Sequence, residues 1–368
     1  MRKHINPIMA TLLAGAVIFC NAPQSIGCTS LIAAGRATLS GRPLLWKHRD
    51  TSASNNFIAR VEADSVSGAI GFTALFNGGD SLLAEAWMGM NDAGFAIMNT
   101  ASYNLAPDTA AVRDREGYVM SAALRCCQSV NDFELLLHEL PKPLGVQANF
   151  GVIDANGHGA YFETDDWNFT RFDADSCKSG VLIRTNYSVS GDSTLGRGYI
   201  RHDNTTELLA EAISTGSLTA AELTENVSRS FYHSLLGCDV LERGDSWAVD
   251  MDFIPRDIST ASIVIEGILP GEKASQTVMW TALGYPPCAS VEPVFADSIP
   301  AGLGPDTHGY TSPVCATSIA LRSAAHPIVK GNGPAYINLD IIRQEIEARR
   351  AEALDAYARG NIARTRRQ

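Results

Sequence analysis

Short apolar runs separated by turn residues characterise the chain after its first apolar segment. The runs CTSLIAAG and RPLLWKH are joined by the turn TLSG, which is typical of a β-hairpin. Three similar stretches follow, FIARVEA, GFTALFNGG and AEAWMGMNDAGFAIMNTAS, in which glycine and Asn-Asp mark the turns. We therefore predict a strand-rich, antiparallel first part.

Helical periodicity then alternates with further strand patterns. The stretch REGYVMSAALRCCQSVNDFELLLHELP carries apolar residues at spacings of three and four, which predicts two helices, the second capped by Asn131 or Asp132. The stretches ANFGVIDANGHGAYFETDDWNFTRFDA and GVLIRTNYS indicate strands. Two more helices are predicted over TTELLAEAIS and LTAAELTENVSRSFYHSLL, and two buried strands over STASIVIEGIL and SQTVMWTALG.

The last part of the chain completes this alternation. We expect loops from Pro286 to Pro334, then an amphipathic helix over NLDIIRQEIEARRAEALDAYARG and a frayed basic tail. Hairpins alternate with helix pairs rather than with single crossover helices, so an α+β fold with two sheets between helical layers is the natural packing. No break in composition marks a second domain, and we expect residues 28–368 to form one.

The N-terminal segment has the features of a signal peptide. A short positive end precedes an apolar run over 8–19, which is too short to span a membrane. Ser25 and Gly27 are small residues placed three and one positions before Cys28, as signal peptidase requires. We therefore predict that residues 1–27 are a signal peptide or propeptide and that the protein is exported, to the periplasm or outside the cell.

The amino-acid composition limits the classes of binding partner that we expect. Hydrophobic residues make up 45% and charged residues 19%, as in globular proteins, and the net charge of -11 argues against nucleic acid or an anionic membrane surface. No later segment has the length and apolar character of a transmembrane helix. We expect a small-molecule substrate, no nucleic-acid partner and no cofactor or metal; homo-oligomerisation stays open.

Cysteine usage is compatible with an oxidising compartment. No CxxC motif or regular Cys/His spacing suggests a zinc site. Beyond Cys28, an even number of cysteines permits disulfides, but the sequence does not choose among their pairings. These cysteines are Cys126, Cys127, Cys177, Cys238, Cys288 and Cys315.

A cysteine at a new N-terminus has a chemical property that no internal cysteine has. Its own α-amino group, with a pKa of about 8, lies within reach of its thiol, which titrates near about 8.5. The amine can accept the thiol proton, so nucleophile and base come from one residue. Only donors for the oxyanion and groups that hold the amine are still needed.

The stretch GCTSLIAAGRATLSGRPLLWKHRD resembles the opening of N-terminal-nucleophile hydrolases of the choloylglycine hydrolase and penicillin acyltransferase group. It is most similar to the acyl-coenzyme A:6-aminopenicillanic acid acyltransferase-like branch. The resemblance continues through WMGMNDAGFAIMNTASYN, ANFGVIDANG, LIRTNYS and DFIPRDISTASIVIEG. It implies a four-layer αββα sandwich and hydrolysis of a linear amide bond, or acyl transfer to an amine.

The resemblance also implies roles for particular residues. Cys28 matches the nucleophile, and Asp50 matches the aspartate that hydrogen-bonds the nucleophile's amino group. Lys47 stands where related hydrolases carry an arginine, and this departure replaces a bidentate fork by a flexible point charge. It leaves either Lys47 or the neighbouring Arg49 to support the thiolate.

Three further residues are matched later in the chain. Asn99, in IMNTAS, matches an asparagine that helps to form the oxyanion hole or binds substrate, and Asn186, in RTNYS, matches an oxyanion donor. Arg256, in IPRDIS, is the candidate for a late arginine. The implied cycle is attack of the Cys28 thiolate on an amide carbonyl, formation of a thioester, and hydrolysis or acyl transfer.

Each of these residues also has an ordinary structural interpretation. SIGC resembles a lipobox, which would make Cys28 the lipid-attachment site of an envelope lipoprotein, although leucine usually stands where Ser25 does. Asp50 can form a surface ion pair, and Asn99 and Asn186 can be turn residues. Arg256 can pair with Asp252 or Asp257. His48 lies near Cys28, but this chemistry does not need a histidine.

Overall fold

A computed structural model describes residues 27–107 and 109–368. The segment predicted to be a signal peptide or propeptide, residues 1–27, lies outside the described residues except for Gly27.

Seventeen strands are formed in the described part of the chain. In chain order they are β1 (Gly27–Ala33), β2 (Leu44–Asp50), β3 (Asn56–Val61), β4 (Phe72–Asn77), β5 (Met88–Asn91), β6 (Ala96–Ala101), β7 (Ala148–Ile153), β8 (Gly159–Thr164), β9 (Phe169–Asp173), β10 (Val181–Arg184), β11 (Tyr232–His233), β12 (Cys238–Asp239), β13 (Trp247–Val249), β14 (Ser259–Glu266), β15 (Val278–Leu283), β16 (Val291–Val294) and β17 (Tyr336–Asn338).

The α-helices lie between groups of these strands. They are α1 (Glu116–Cys126), α2 (Val130–Glu139), α3 (Tyr199–Leu208), α4 (Ala210–Thr215), α5 (Pro313–Ala325) and α6 (Leu339–Thr365). A π-helical segment covers Glu222–Val227. No helix of 27–107 or 109–368 combines the length and the apolar character needed to cross a bilayer.

Two large antiparallel sheets organise the chain. Seven strands, β3 to β9, follow one another as a meander, so short turns are enough to connect them. The other sheet has the order β10-β1-β2-β14-β15-β16 and joins strands that are far apart in sequence. The predicted hairpin of β1 and β2 is confirmed, with Ala33 paired to Leu44 next to the turn. This second sheet carries the candidate site.

The two sheets pack face to face. Ile32 of β1 and Leu45 of β2 belong to the core between them, where a Cβ on Gly151 of β7 would lie 3.3 Å from Ile32. The adjacent residues that precede them, Leu31 and Leu44, pack in a separate core under helices. Side chains alternate across a strand, and both faces of β1 and β2 are therefore buried.

Helices cover the outer face of each sheet. Phe133 of α2 packs edge-to-face on Phe150 and Phe162 of the seven-stranded sheet, with ring centroids 5.7 and 5.1 Å away. On the other sheet, Tyr357 of α6 lies 4.7 Å from the ring of Trp280. The order of layers is helix, sheet, sheet, helix, which is the α+β sandwich predicted from the sequence.

Several local predictions need correction. The region from Pro286 to Pro334 is not only loop, because it contains β16 and α5. The second predicted helix is capped by Ser129, whose hydroxyl accepts from the backbone N–H of Asp132, and not by Asn131 or Asp132.

The basic tail is helical rather than frayed. Arg364 lies in α6, donates to the carbonyl of Gln276 at 2.8 Å and pairs with Glu266 at 2.9 Å. These buried contacts to neighbouring elements hold the last turns of the helix, which amphipathic periodicity within the tail alone does not reveal.

Candidate active site

Cys28 lies at the start of β1, where two neighbouring strands bring distant residues to it. In the pairing of β1 with β2, Gly27 lies opposite Asp50 and Cys28 opposite Arg49. On the other side Ser30 pairs with Arg184 of β10. Continuing that register by two residues brings Asn186 beside Cys28.

The backbone nitrogen of Cys28 is held by a side chain. Its N–H donates to Oδ1 of Asn186 at 2.9 Å, and the same oxygen accepts from Nη2 of Arg201 at 2.8 Å. A guanidinium has only donors, so the oxygen of the Asn186 amide must face Arg201 and Cys28. The amide nitrogen therefore points away, and it donates to the carbonyl of Ala101 at 2.9 Å.

Arg201 is a central residue that the sequence analysis did not single out. Its Nη1 donates to the carbonyl of Cys28 at 2.6 Å and to Oγ1 of Thr29 at 3.1 Å, and its Nε pairs with Asp252 at 2.9 Å. The side chain is fully buried although it comes from helix α3. A single arginine in a mostly polar helical stretch carries no local signal of such a role.

Asp50 lies on the same face of β2 as the contacts to the Cys28 nitrogen. Its Oδ1 accepts from the hydroxyl of Ser259 at 2.6 Å, and its Oδ2 is 3.7 Å from Nη1 of Arg256. Burial raises the pKa of Asp50 from 3.8 to about 6, against the opposing effects of Arg256, Arg201 and the Ser259 hydrogen bond. A carboxyl with this pKa changes its charge close to neutral pH.

Arg256 forms one of the ion pairs expected of it as a structural residue and also reaches Asp50. It pairs with Asp252 at 3.8 Å, and it also lies 3.6 Å from Asp250 and 3.7 Å from Asp50. Its backbone N–H donates to Oγ of Ser259 at 2.9 Å. Ser259 thus fixes the arginine backbone and the Asp50 carboxylate together.

Gly27 shows how closely these groups surround the Gly27–Cys28 peptide. A Cβ at position 27 would lie 2.9 Å from Nη1 of Arg256, 3.2 Å from Oδ2 of Asp50 and 3.4 Å from Oδ1 of Asn186. The first of these is shorter than real Cβ contacts, so a larger residue displaces the arginine. Three of the sequence-predicted residues therefore converge on one peptide bond.

The thiol of Cys28 faces a different group of residues. Cys28 and its pairing partner Arg49 share the face of the sheet that looks toward the seven-stranded sheet, and Lys47 follows on that face. Nζ of Lys47 donates to Oδ1 of Asn99 at 2.7 Å and to the carbonyl of Trp87 at 2.9 Å. Asn99 therefore contacts Lys47 rather than the Cys28 nitrogen.

Burial governs the ionisation of both cations. It lowers the pKa of Lys47 from 10.5 to about 7; the charge of Cys28 opposes this shift and that of Arg49 adds to it. Burial also lowers the pKa of Arg49 to about 10. Arg49 donates to Asn56 at 2.6 Å and to Asn77 at 2.9 Å. Within the described residues neither cation has a carboxylate at ion-pair distance.

His48 lies on the nitrogen side of the site and contacts Ser259. Its Nε2 is 2.9 Å from Oγ of Ser259, whose own hydrogen goes to Asp50, so Nε2 must be the donor. Burial lowers the pKa of His48 to about 3, which keeps the ring neutral at physiological pH. The imidazole thereby completes the hydrogen bonds of Ser259.

The structure thus brings the six sequence-predicted residues into one region, but in two groups. Asn186 accepts from the Cys28 nitrogen, and Asp50 and Arg256 lie beside Gly27 on the same side, while Lys47 and Asn99 lie on the side of the thiol. None of the seven described cysteines is in a disulfide. Over the residues that the structure describes, no cluster of three His, Cys, Asp or Glu side chains is placed to hold a metal ion.

Comparison with known proteins finds similarity only among solved structures. No protein-family model matches the chain, and no curated protein matches it. The chain is similar to an N-acylethanolamine-hydrolyzing acid amidase ortholog of Caenorhabditis elegans, at 14% identity over 66% of this chain and 94% of that chain, with a TM-score of 0.43.

Two bacterial structures are similar to a comparable degree. For a variant of the conjugated bile acid hydrolase of Clostridium perfringens, identity is 12% over 74% of this chain and 94% of that chain, with a TM-score of 0.44. For the penicillin V acylase of Agrobacterium tumefaciens, identity is 12% over 74% of this chain and 87% of that chain, with a TM-score of 0.43.

Proposed function

We propose that this chain is an exported N-terminal-cysteine amidase that hydrolyses the linear amide bond of an N-acylated small molecule. One observation carries the proposal: Asp50, Asn186 and Arg256 all converge on the peptide between Gly27 and Cys28. An internal cysteine has no use for three polar side chains around its backbone nitrogen. A cysteine that works through its own amine needs them.

Cleavage of the Gly27–Cys28 bond would turn this nitrogen into an α-amino group. Asn186 Oδ1 would then accept from the amine and orient it, while the Asp50 carboxylate favours the ammonium form. The nearby guanidinium groups of Arg201 and Arg256 favour the neutral form. These opposed influences keep the amine able to gain and lose a proton near neutral pH, as an acid-base catalyst must.

The proposed reaction has two stages. The Cys28 thiolate attacks the amide carbonyl, and the oxyanion is stabilised by a backbone N–H or the side-chain amide of Asn99. The oxyanion role that the sequence implied for Asn186 does not fit its orientation, because its amide nitrogen donates to Ala101 and its oxygen accepts from Cys28 and Arg201. The α-ammonium of Cys28 protonates the departing amine, which leaves a thioester. Water then attacks the thioester and gives up its proton to the α-amine; acyl transfer to another amine is the close variant.

Two routes can produce the new N-terminus. Signal peptidase can cut the unfolded chain before Cys28, or the folded chain can cut itself by attack of Cys28 Sγ on the Gly27 carbonyl, followed by hydrolysis of the resulting thioester. Gly27 is buried and paired in β1, which hinders access of an external protease after folding. The polar groups around this bond support the second route for a chain that folds uncut.

The lipoprotein interpretation has less support. The Cys28 side chain is fully buried between the two sheets, among Lys47 and Arg49. A diacylglyceryl group on this sulfur would have to displace both cations and part of the core. The two basic side chains beside the sulfur suit an anionic thiolate better than a permanently attached hydrocarbon chain.

The test uses the full chain produced without secretion, so that signal peptidase is absent. Self-cleavage is supported if a chain that begins at position 28 appears in the wild type but not in Cys28→Ala. Intact mass and N-terminal sequencing measure this. The processed protein is then assayed on a panel of N-acyl amides. An active preparation whose N-terminus lies elsewhere, or hydrolysis that survives Cys28→Ala, would refute the amidase proposed here.

A further inference from the structure

Lys47 is a buried lysine whose hydrogen-bond partners are neutral. Its two acceptors are the amide oxygen of Asn99 and the carbonyl of Trp87, and no carboxylate of the described chain is within 4.0 Å. A buried ammonium in such surroundings is costly unless an anion lies close to it. The group on this face that can become that anion is the thiol of Cys28.

Arg49 makes the charge of Lys47 depend on the state of the sulfur. Arg49 is paired with Cys28 across the strands, and its two hydrogen-bond partners, Asn56 and Asn77, are neutral as well. A second positive charge on Lys47 is repelled by this fixed cation while the thiol is neutral. Moving the thiol proton to Nζ leaves the total charge of the group unchanged and creates an anion between two cations.

We propose that Lys47 accepts the proton of the Cys28 thiol and thereby generates the nucleophilic thiolate. The inference rests on the proposed function and sharpens it. The α-amino group is then not consumed in activating the sulfur and starts the cycle as an ammonium. An arginine at position 47 would stabilise a thiolate but could not take the proton, because its guanidinium stays protonated.

The proton balance of the cycle follows. The proton moves from Cys28 Sγ to Lys47 Nζ, and the thiolate attacks the amide carbonyl carbon. The α-ammonium gives a proton to the amide nitrogen as the C–N bond breaks. Water then adds to the thioester and gives one proton to the α-amine. The C–S bond breaks, the carboxylic acid leaves, and the thiolate remains paired with protonated Lys47.

Other charged groups surround this assembly. Glu85, Tyr103, Glu116 and Cys315 act on Lys47, Arg49 or Cys28 from neighbouring elements, and Asp50, Arg201 and Arg256 lie on the opposite face of the sheet. The pKa of Lys47, lowered to about 7 by burial, puts both of its protonation states within reach at neutral pH.

Proton release on alkylation tests the inference without any substrate. Iodoacetamide converts the sulfur into a neutral thioether. A thiol gives up its own proton in this reaction, whereas a thiolate gives up none and leaves Lys47 without its anion, so that Lys47 releases the proton instead. The ultraviolet absorbance of a thiolate, present before alkylation at pH 8 and lost with it, identifies the second case, and its absence from the wild type would overturn the inference. We expect the processed wild type at pH 8 to release about one proton more per chain than Lys47→Arg, read with an indicator dye in weak buffer. The comparison is made in a background in which Cys126, Cys177 and Cys238 are replaced by serine, because these are the partly exposed thiols of the described chain. Equal release by both proteins would overturn the inference.

A second variant guards against a misfolded Lys47→Arg protein. Lys47→Met, similar in shape and neutral, should raise the midpoint of the alkylation rate of Cys28 against pH relative to the wild type, because the group that takes the thiol proton is lost. An unchanged midpoint would also overturn the inference. Extra proton release without hydrolysis of any N-acyl amide would uphold the role of Lys47 and refute the amidase, whereas hydrolysis with equal release would refute the role of Lys47 alone.

Discussion

Strand β2 has two electrostatically different faces next to Cys28. On the face toward the seven-stranded sheet, Lys47 and Arg49 are buried cations bound to neutral oxygens. On the other face, Asp50 and His48 meet at Ser259, within a network of aspartates and arginines. The first face lies beside the sulfur of Cys28, and the second face lies beside its backbone nitrogen. One strand can therefore tune a nucleophile and a proton carrier that belong to the same residue, because alternation separates their surroundings.

The largest effect is expected where the two faces meet, at Cys28 itself. Cys28→Ser should lower amide hydrolysis by about a thousandfold or more, because the hydroxyl is a far weaker nucleophile beside the same cations. The matched control is Cys177→Ser, because the sulfur of Cys177 contacts Ser179 and the carbonyl of Val181, away from the candidate site. Comparable activity of both variants would remove the basis for distinguishing the faces.

Asp50→Asn tests the nitrogen face alone. The substitution keeps the shape and removes the charge that favours the α-ammonium, so we expect about a hundredfold loss in kcat/KM and slower appearance of the Cys28 N-terminus. The alkylation rate of Cys28 should change much less, because the carboxylate lies on the opposite face. A larger effect on alkylation than on hydrolysis would show that the two faces are not separate.

Arg201→Gln tests a residue that positions the amine through Asn186. Loss of its bonds to Asn186 and the Cys28 carbonyl should lower kcat by about tenfold. It should also raise the upper pKa of the profile of kcat/KM against pH, because the α-ammonium keeps its proton more readily when the nearby positive charge is gone. Arg201→Lys retains the positive charge and should therefore show a smaller change of this pKa. If kcat falls but the pKa values of the kcat/KM profile do not change, Arg201 acts through packing and not through its charge.

The smallest effects concern stability, and they should have opposite signs of pH dependence on the two faces. The lowered pKa of Lys47 means that its contribution to folding stability is full above pH 10.5 and is lost as pH falls toward 7. The raised pKa of Asp50 means that its contribution is full below pH 3.8 and is lost as pH rises toward 6.

Urea unfolding of the Cys28→Ala chain measures both changes. The stability of Lys47→Met relative to its parent should improve on going from pH 10 to pH 7, and that of Asp50→Asn on going from pH 4 to pH 6. Each change should be on the order of 2 kcal/mol. A flat difference for either variant would mean that the group titrates normally in the folded chain.

Sequence patterns predict the layers of this fold better than they predict the site. Alternating apolar runs specify hairpins such as β1–β2, because the turn and the strand period are local signals. Helix α5 was missed although it has local start signals, an N-cap at Ser312 and a proline at its first position. The last turns of α6 were missed because buried contacts to distant strands hold them. Motifs lead to Cys28, Asp50 and Asn186, but the contact between Asn99 and Lys47 arises only from sheet packing.

Arg201 shows most clearly what sequence patterns do not predict. Its importance lies in three acceptors brought together by β1, the segment after β10 and helix α3, and none of these is a neighbour in sequence. Likewise, the separation of Lys47 from Asp50 onto two faces follows from strand parity, but the absence of a carboxylate near Lys47 in the described chain is a property of the assembled sheets.

The account depends on Cys28 as both the first residue and the nucleophile of the working protein. The most direct measurement is mass spectrometry of the processed protein, quenched in acid during turnover of an N-acyl amide. We predict an N-terminal peptide that begins at Cys28, carries the acyl group on its sulfur and loses it on treatment with hydroxylamine. An acyl group on another residue, or an active protein that begins elsewhere, would contradict the account.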